Sequence, residues 1–384
     1  MPYRRLRLGM VGGGQGALIG AVHRIAARLD DRFELAAGAL SSDPERARTS
    51  AAEAGIARSY AHWQDMALAE AAREDGIDAV AIVTPNHLHA PVATAFLDAG
   101  IHVICDKPLA ISLAEGEALA KLARAKNRLF ALTHTYSGYP LARHARDLVE
   151  RGELGQLRVV QVEYAQDWLA EPIEAGGLNK QAGWRTDPAL AGPAGCLGDI
   201  GTHAYHLASF VTGMMPVALS AELHTFVPGR RVDDHVQAML RYANGARGML
   251  WASQVASGAE NALRLRVYGT KASLAFDQER PNELWFTPLG ATAERLTRAR
   301  VNSASAAHAT RVPPGHPEGY LEAFAQLYKD AALQIEALNE GRALPAESLL
   351  LTTVEDGVAG LRFIEAALAS SAADGQWCEI RNAA

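Results

Sequence analysis

The stretch "LRLGMVGGGQGALIGAVHR" (residues 6–24) decides the fold of this chain. It begins with a short apolar run typical of a buried strand, continues through a glycine-rich turn, and ends in a helical pattern of apolar residues. A strand, a glycine-rich turn and a helix in this order are the context that a dinucleotide-binding turn requires. The sequence therefore predicts a nucleotide-binding βαβ unit at its start.

Three small residues shape such a turn. Gly12 and Gly14 allow the tight bend and the close approach of backbone to a pyrophosphate, which the helix N-terminus would bind. The third small position is Ala17 by the usual spacing, or Gly20 if the loop carries two extra residues. We expect Gly12, Gly14 and Ala17 to contact the cofactor.

Short runs rich in Val, Ile and Leu alternate with helical segments through the first part of the chain. Among them are "FELAAGAL", "DAVAIVT" and "IHVIC", with one helix opened by Pro44 and another ended by Gly100. Strands that are apolar on both faces are what a parallel sheet covered by helices needs. We predict an α/β domain with a doubly wound parallel sheet over residues 1–135.

The pattern changes in residues 136–384, which we predict to form a second domain. From Leu157 the strand segments are longer and alternate in polarity, as in "LRVVQVEY", and "YANGARG" carries an Asn-Gly hairpin turn. Such segments favour an antiparallel sheet with one face exposed to solvent or to another subunit. Helical patterns return in "GYLEAFAQLYKDAALQIEAL" and "EDGVAGLRFIEAALAS", and the weakly patterned stretch 291–312 is expected to be a mobile loop.

Composition narrows the class of protein. The chain has 384 residues, enough for two domains, and 49% hydrophobic with 21% charged residues is typical of a globular protein. A net charge of −6 provides no basic field, so we expect neither nucleic acid nor a membrane as a partner. The 3 cysteines form no CxxC pair, which favours a reducing compartment, and we predict a cytoplasmic protein.

The segment after the second strand bears on the choice between NAD and NADP. NAD enzymes usually place an acid there for the ribose hydroxyls, whereas this chain has Ser41 and Ser42, with Arg46 one helical turn further on. Hydroxyls and a guanidinium suit a 2′-phosphate, which favours NADP. The alternative is that the segment with Asp43 only caps the next helix and Arg46 is solvated. The cofactor is predicted as NAD(P), with the preference open.

The stretch "LGDIGTHAYH" (197–206) places an acid and two imidazoles at helical spacing. Asp199, His203 and His206 fall along one stripe of a predicted amphipathic helix. With His235 they could ligate a metal, but no cysteine or clustered carboxylates accompany them, and we predict no metal. An imidazole suits removal of a hydroxyl proton, which favours His203 as the base and Asp199 as its orienting partner. The alternative is a helix cap and a buried histidine.

Lys107 follows the fifth strand in "HVICDKPLA", at the edge where open α/β sheets bind their ligands. Its ammonium could hydrogen-bond a substrate hydroxyl and stabilise the alkoxide that develops there. The alternative is an ordinary exposed lysine.

Several motifs in one order resemble the glucose-fructose oxidoreductase, inositol dehydrogenase and rhizopine catabolism (Gfo/Idh/MocA) oxidoreductases. They are the glycine-rich turn, "TPNHLH", "DKP", "GCLGDIGTH", "DDHVQAMLRYANGARG" and "LRVYGTKASLAF". The resemblance implies an N-terminal Rossmann domain and a C-terminal α/β domain with a large, mostly antiparallel open sheet. It also implies hydride transfer between a nicotinamide and a carbinol of a sugar, glycoside or cyclic polyol such as inositol, and a homodimer or homotetramer.

The resemblance assigns roles to individual residues. It makes Lys107, Asp199 and His203 the catalytic group. Pro85, Asn86 and His89 match the stretch that lines the nicotinamide side of the cofactor site. The cofactor is also expected to contact Thr84, Asp106, Lys107 and Pro108. Trp184 and Arg185 match a Trp-Arg pair often found in the family. From the segments expected near the cleft, the substrate is predicted to contact Lys107, His134, Tyr136, Trp168, Trp184, Arg185, Asp199, His203 and His206.

The chain departs from the family pattern in its longer glycine loop, in Ser41 where many members carry an acid, and in His206 where Asp is common. The motif "DKP" also has an aspartate in place of the usual glutamate. Two other functions stay open: a non-catalytic NAD(P)-binding sensor or scaffold, which needs no base, and a metal-dependent sugar isomerase or lyase.

Overall fold

In the computed structural model, which describes residues 4–177 and 179–381, the chain forms two compact units. The first comprises the chain up to Gly138 together with Tyr320–Val358, and the second comprises Tyr139–Gly319 and the chain from Ala359 onward. The structure therefore differs from the predicted single boundary after residue 135, because a segment from near the C-terminus belongs to the first unit.

Six parallel strands form the sheet of the first unit, which confirms the predicted doubly wound sheet. They are β1 (Leu6–Gly12), β2 (Phe33–Ala39), β3 (Arg58–Ser59), β4 (Ala79–Val83), β5 (His102–Cys105) and β6 (Phe130–Leu132). Their order across the sheet is β3-β2-β1-β4-β5-β6. The strand order reverses beside β1, and open α/β sheets bind ligands at the carboxyl ends of the strands at such a switch point.

The helices follow the sequence patterns closely. In chain order they are α1 (Leu18–Leu29), α2 (Pro44–Ala54), α3 (Trp63–Ala71), α4 (His89–Asp98), α5 (Leu113–Lys126), α6 (Pro140–Glu150), α7 (Lys180–Arg185), α8 (Pro188–Ala191), α9 (Thr202–Thr212), α10 (Ala304–Ala309), α11 (Tyr320–Asn339) and α12 (Val354–Ala372). Helix α11 joins the first unit because Phe324, Leu327 and Tyr328 pack into the core that contains Leu8 and Met10.

Nine strands form the sheet of the second unit. They are β7 (Leu157–Ala165), β8 (Pro216–His224), β9 (His235–Tyr242), β10 (Arg247–Ser253), β11 (Ala262–Gly269), β12 (Ala272–Asp277), β13 (Glu283–Pro288), β14 (Glu294–Thr297) and β15 (Cys378–Glu379). Their order is β14-β13-β12-β11-β7-β10-β9-β8-β15. Strands β7 and β10 run parallel, and the other neighbours are antiparallel, as predicted.

The expectation of a mobile loop over residues 291–312 is wrong. This stretch contains β14, which pairs with β13, and α10. The hydroxyl of Ser303 accepts the N–H of Ala306 at 3.0 Å and so caps α10. Within residues 4–177 and 179–381, no helix combines the length and the apolar character needed to cross a bilayer.

Candidate active site

The glycine turn after β1 is shaped for close backbone approach. Gly12 has a φ of +78°, and a Cβ there would lie 2.5 Å from the carbonyl oxygen of Val83. A Cβ on Gly14 would lie 2.6 Å from the carbonyl oxygen of Leu40. The turn is therefore a side-chain-free cradle between the ends of β4 and β2, which fits a bound pyrophosphate.

The third small position of this turn is Gly20 rather than Ala17. A Cβ on Gly20 would lie 2.2 Å from the carbonyl oxygen of Gly13, so α1 passes over the turn at a place that admits only glycine. Ala17 is the residue that precedes α1, and its N–H donates to the carbonyl oxygen of Gly14 at 3.1 Å. The position that packs the helix against the turn therefore lies three residues later than the usual spacing predicts, at 20 instead of 17, so the expected two extra residues are one too few.

The segment after β2 caps α2, as the alternative interpretation had it. Asp43 accepts the N–H of Arg46 at 2.8 Å, and Ser41 Oγ accepts the N–H of Asp43 at 3.2 Å. Ser42 and the side chain of Arg46 are exposed. The cap uses only the backbone of Arg46, so its guanidinium can still serve a ligand.

His89 connects the turns that follow β4 and β5. It is completely buried, with Nε2 lying 3.0 Å from the carbonyl oxygen of Thr84 and Nδ1 lying 2.7 Å from that of Pro108. Burial lowers the pKa of His89. The protein encloses this ring on the side of both nitrogens, and its contact with the cofactor stays a prediction. Neighbouring Asn86 is also buried.

Asp106 anchors the turn that carries Lys107. Its Oδ1 lies 2.9 Å from Nε2 of His23 on α1 and accepts the hydroxyl of Thr133 at 2.7 Å. The other ring nitrogen of His23 lies 2.7 Å from the Tyr328 hydroxyl. Burial raises the pKa of Asp106, but His23 and Thr133 more than offset this and hold the pKa at about 2. Asp106 therefore fixes the turn that carries Lys107, and its contact with the cofactor stays a prediction.

Two further predicted residues follow β6 at the same edge of the first sheet. His134 and Tyr136 are both buried, and the hydroxyl of Ser137 donates to the carbonyl oxygen of His134 at 2.9 Å. Their contact with a substrate stays a prediction, as do those of Thr84, Pro85 and Pro108 with the cofactor. The bond between Lys107 and Pro108 is cis.

The motif with Asp199 and His203 forms a π turn followed by an α-helix. The π turn spans Leu197–Gly201 and runs directly into α9. The prediction of an amphipathic helix is wrong, because nearly every side chain of α9 is buried, His203 and His206 included. The ring of His203 lies edge-on to that of Tyr164, with 6.2 Å between the ring centres. The ring centres of His206 and Phe210 lie 6.0 Å apart.

Asp233 fixes the start of this turn. Its two carboxylate oxygens accept the N–H groups of Gly195 at 2.7 Å and Leu197 at 2.8 Å. The backbone carbonyl of Asp233 accepts the N–H of Cys196 at 2.8 Å. Burial raises the pKa of Asp233 to about 6, although the two N–H bonds act in the opposite direction.

Asp199 lies among donors and aromatic rings of the second unit. Nε2 of Gln254 donates to its Oδ2 at 2.9 Å, and Nε of Arg185 lies 3.6 Å from the same oxygen. The Arg185 guanidinium in turn lies 4.2 Å from the ring centre of Trp184 and 5.9 Å from that of Trp168. The structure thus brings together four of the predicted substrate residues.

Sequence reasoning missed three residues of these surroundings: Gln254, Asp233 as an anchor, and His23. Gln254 and His23 each reach a site residue that is distant in sequence, and no local pattern announces such a pairing. For Asp233, the acidic pair that directly precedes β9 was a usable signal, since buried carboxylates commonly bind backbone N–H groups.

The metal alternative finds no ligand set in the described parts of the chain. No group of three or more His, Cys, Asp or Glu side chains there is arranged to hold an ion. His235, the fourth candidate ligand, lies instead beside Phe226 at 5.5 Å and Trp251 at 6.1 Å.

Comparison with known proteins covers both units. Residues 6–134 match a family model described as an oxidoreductase family with an NAD-binding Rossmann fold, and residues 142–275 match the GFO/IDH/MocA C-terminal domain. An oxidoreductase from Sinorhizobium meliloti is 49% identical, with a TM-score of 0.88 over 98% of this chain and 99% of that chain.

Two relatives are described with their ligand or activity. An inositol dehydrogenase homologue from Azotobacter vinelandii, solved with NADH and myo-inositol, is 34% identical, with a TM-score of 0.91 over 98% of each chain. Levoglucosan dehydrogenase from Pseudarthrobacter phenanthrenivorans is 29% identical over 98% of each chain.

Proposed function

Because the chain belongs to the Gfo/Idh/MocA family of NAD-binding oxidoreductases, we propose that it interconverts a carbinol and a carbonyl of a sugar, glycoside or cyclic polyol. The cluster around Asp199 supports this substrate class best. A carboxylate, a guanidinium and an amide bind vicinal hydroxyls, and the rings of Trp168 and Trp184 suit the apolar faces of a sugar or polyol.

In this proposal, Lys107 donates a hydrogen bond to the reacting hydroxyl oxygen and stabilises its developing negative charge. His203 takes the hydroxyl proton during oxidation and returns it during reduction. Asp199 orients the imidazole or accepts a hydrogen bond from the neighbouring hydroxyl. The nicotinamide, when bound, supplies the hydride acceptor or donor.

The cofactor would be held by the backbone of the glycine turn. Gly12 and Gly14 leave no side chain between that backbone and a pyrophosphate, and the N-terminus of α1 lies directly after the turn. Ser42 and Arg46 would face the 2′ position of the adenosine ribose. These two residues favour NADP, whereas the Azotobacter homologue is described with NADH, so both cofactors belong in the assay.

The test is a panel of inositols, aldoses and anhydrosugars with NAD+ and NADP+, followed at the absorbance band of reduced nicotinamide. Lys107→Ala and His203→Ala are expected to lower kcat by about 10²- to 10⁴-fold and to leave cofactor affinity unchanged. Lys121→Ala and His316→Ala, which change exposed side chains, are the matched controls. Tight cofactor binding without turnover of any substrate would favour a sensor or scaffold instead.

We also propose a cytoplasmic homodimer or homotetramer that uses the outer face of the second sheet. Met239 and Met249 form a cross-strand pair on that face and are 54% and 53% exposed, and Trp285 is 46% exposed. Large apolar side chains exposed together on one face of a sheet favour contact between this face and another protein surface. A mass measured by light scattering that equals that of a single chain would contradict the proposed oligomer.

A further inference from the structure

Gln254 occupies a fixed position at the carboxyl end of β10. It is only 2% exposed, its N–H donates to the carbonyl oxygen of Asp234 at 2.9 Å, and its own carbonyl accepts the N–H of Leu169 at 3.1 Å. Backbone hydrogen bonds on both sides leave the residue little freedom. Its side chain therefore has a defined origin from which to reach the π turn.

That side chain reaches Asp199. Nε2 of Gln254 lies 2.9 Å from Oδ2 of Asp199, the oxygen that Arg185 approaches at 3.6 Å. The Asp199 side chain is 20% exposed, so its carboxylate stands at the boundary between protein and solvent. A buried amide donor at this distance restricts rotation of the carboxylate and favours its ionised form.

We propose that Gln254 is a positioning residue, which holds the carboxylate of Asp199 ionised and in the orientation that acts on the substrate hydroxyl or on the ring of His203. The catalytic part of this inference rests on the proposed function. The hydrogen bond between the Gln254 amide and the Asp199 carboxylate does not depend on the proposed function, and it can be tested separately.

Two other carboxylates near the π turn are engaged with other groups. The carboxylate of Asp233 is directed to backbone N–H groups at the start of the π turn, and the carboxylate of Asp234 is bound by Arg230 at 3.1 Å. Gln254 is a neutral donor to Asp199, so its replacement changes a hydrogen bond without changing the net charge.

The first test is a carbon NMR titration of the full-length enzyme labelled in its aspartate carboxyls, with the Asp199 signal identified by its loss in Asp199→Asn. In Gln254→Met the titration midpoint of Asp199 is expected at least about one pH unit higher than in the parent. Gln237→Met is the matched control, because Gln237 also donates to a carboxylate, that of Glu222 at 3.2 Å, on an exposed part of the sheet. An unmoved Asp199 midpoint in Gln254→Met would overturn the proposal.

The second test is kinetic. Gln254→Met is expected to lower kcat/KM by about 10- to 100-fold, with cofactor affinity and thermal midpoint near those of the parent. Gln254→Glu places two carboxylates together, so the acid limb of the pH profile should move to higher pH, which a purely structural role would not produce. Parental kinetics in both variants would refute the positioning role and leave the proposed function intact. A parent that turns over no carbinol would refute the proposed function, and the titration would still decide whether Gln254 controls Asp199.

Discussion

Replacing Gly20 by alanine would place a methyl group where α1 passes over the glycine turn. The new Cβ would lie 2.2 Å from the carbonyl oxygen and 2.5 Å from the Cα of Gly13. Both are backbone atoms, so no side chain can rotate away to make room. To reach an ordinary contact of 3.4 Å, the helix would have to retreat by about 1.2 Å, the difference between 3.4 and 2.2 Å.

The cost follows from two opposing effects. Overpacking typically lowers the free energy of unfolding by about 1–3 kcal/mol. Alanine in a helix interior regains about 1 kcal/mol relative to glycine. Because Gly20 faces backbone, we expect a net loss of about 1–2 kcal/mol, or roughly 2–8 °C in the thermal midpoint. Retreat of α1 also withdraws its N-terminus from the pyrophosphate, so cofactor affinity should fall about tenfold or more.

The assay is thermal unfolding monitored by circular dichroism, together with a fluorescence titration of NADH and NADPH. Gly360→Ala is the control: this glycine lies within α12, has no positive φ, and a Cβ there would meet no atom within 4 Å. It should raise the midpoint slightly. A Gly20→Ala variant with parental stability and affinity would refute the close packing of α1 on the turn.

Three further perturbations probe other parts of the structure. Arg230→Met leaves the buried carboxylate of Asp234 and that of Glu174 without their cation, and should lower the free energy of unfolding by about 3–5 kcal/mol in urea titrations. Asp106→Asn should lower the free energy of unfolding by about 2 kcal/mol at neutral pH, because the pKa of Asp106 in the folded protein, about 2, lies below the ordinary 3.8. The difference in stability between parent and variant should be present above about pH 4 and should disappear as the pH falls towards 2. Arg46→Ala should weaken NADPH binding about tenfold and NADH binding little, as measured by fluorescence titration.

Each of these has a control or a contrary outcome. Arg231→Met removes only an exposed ion pair with Asp187 and should cost less than about 1 kcal/mol. If Arg230→Met lowered the free energy of unfolding no more than Arg231→Met does, the buried ion pairs of Arg230 with Glu174 and Asp234 would be contradicted. A stability difference at Asp106 that persists unchanged at low pH would contradict its ionised role. Equal effects of Arg46→Ala on both cofactors would exclude recognition of the 2′-phosphate.

The features that the sequence predicts well are those with local determinants. The helix opened by Pro44 begins at that residue, with Asp43 as its cap and Gly55 in the left-handed conformation at its end. The glycine turn is equally local, and the family, the fold class and the NAD(P)-binding oxidoreductase class follow from such motifs. The comparisons with known proteins and the strand order confirm all three.

The features that escape prediction depend on distant pairings. Gln254 reaches Asp199 because β10 ends beside the π turn, and nothing within "WASQ" indicates that neighbour. Helix α11 has a recognisable pattern, but its place in the first unit depends on how Tyr328 and Phe324 pack into a core formed largely by the start of the chain. The hydrogen bond between Tyr328 and His23, for example, joins residues that are 305 positions apart. The third small position of the glycine turn is Gly20 and not Ala17 because the backbone conformation of the loop, which residue spacing does not show, decides where α1 meets the turn.

Transfer of deuterium from substrate to cofactor tests the central claim most directly. A polyol deuterated at its carbinol carbon would be incubated with enzyme and oxidised cofactor, and the recovered nicotinamide analysed by mass spectrometry. We predict one deuterium on the reduced nicotinamide, with transfer strongly slowed in His203→Ala and Lys107→Ala. Oxidised product accompanied by an unlabelled cofactor, or parental transfer rates in both variants, would contradict the account.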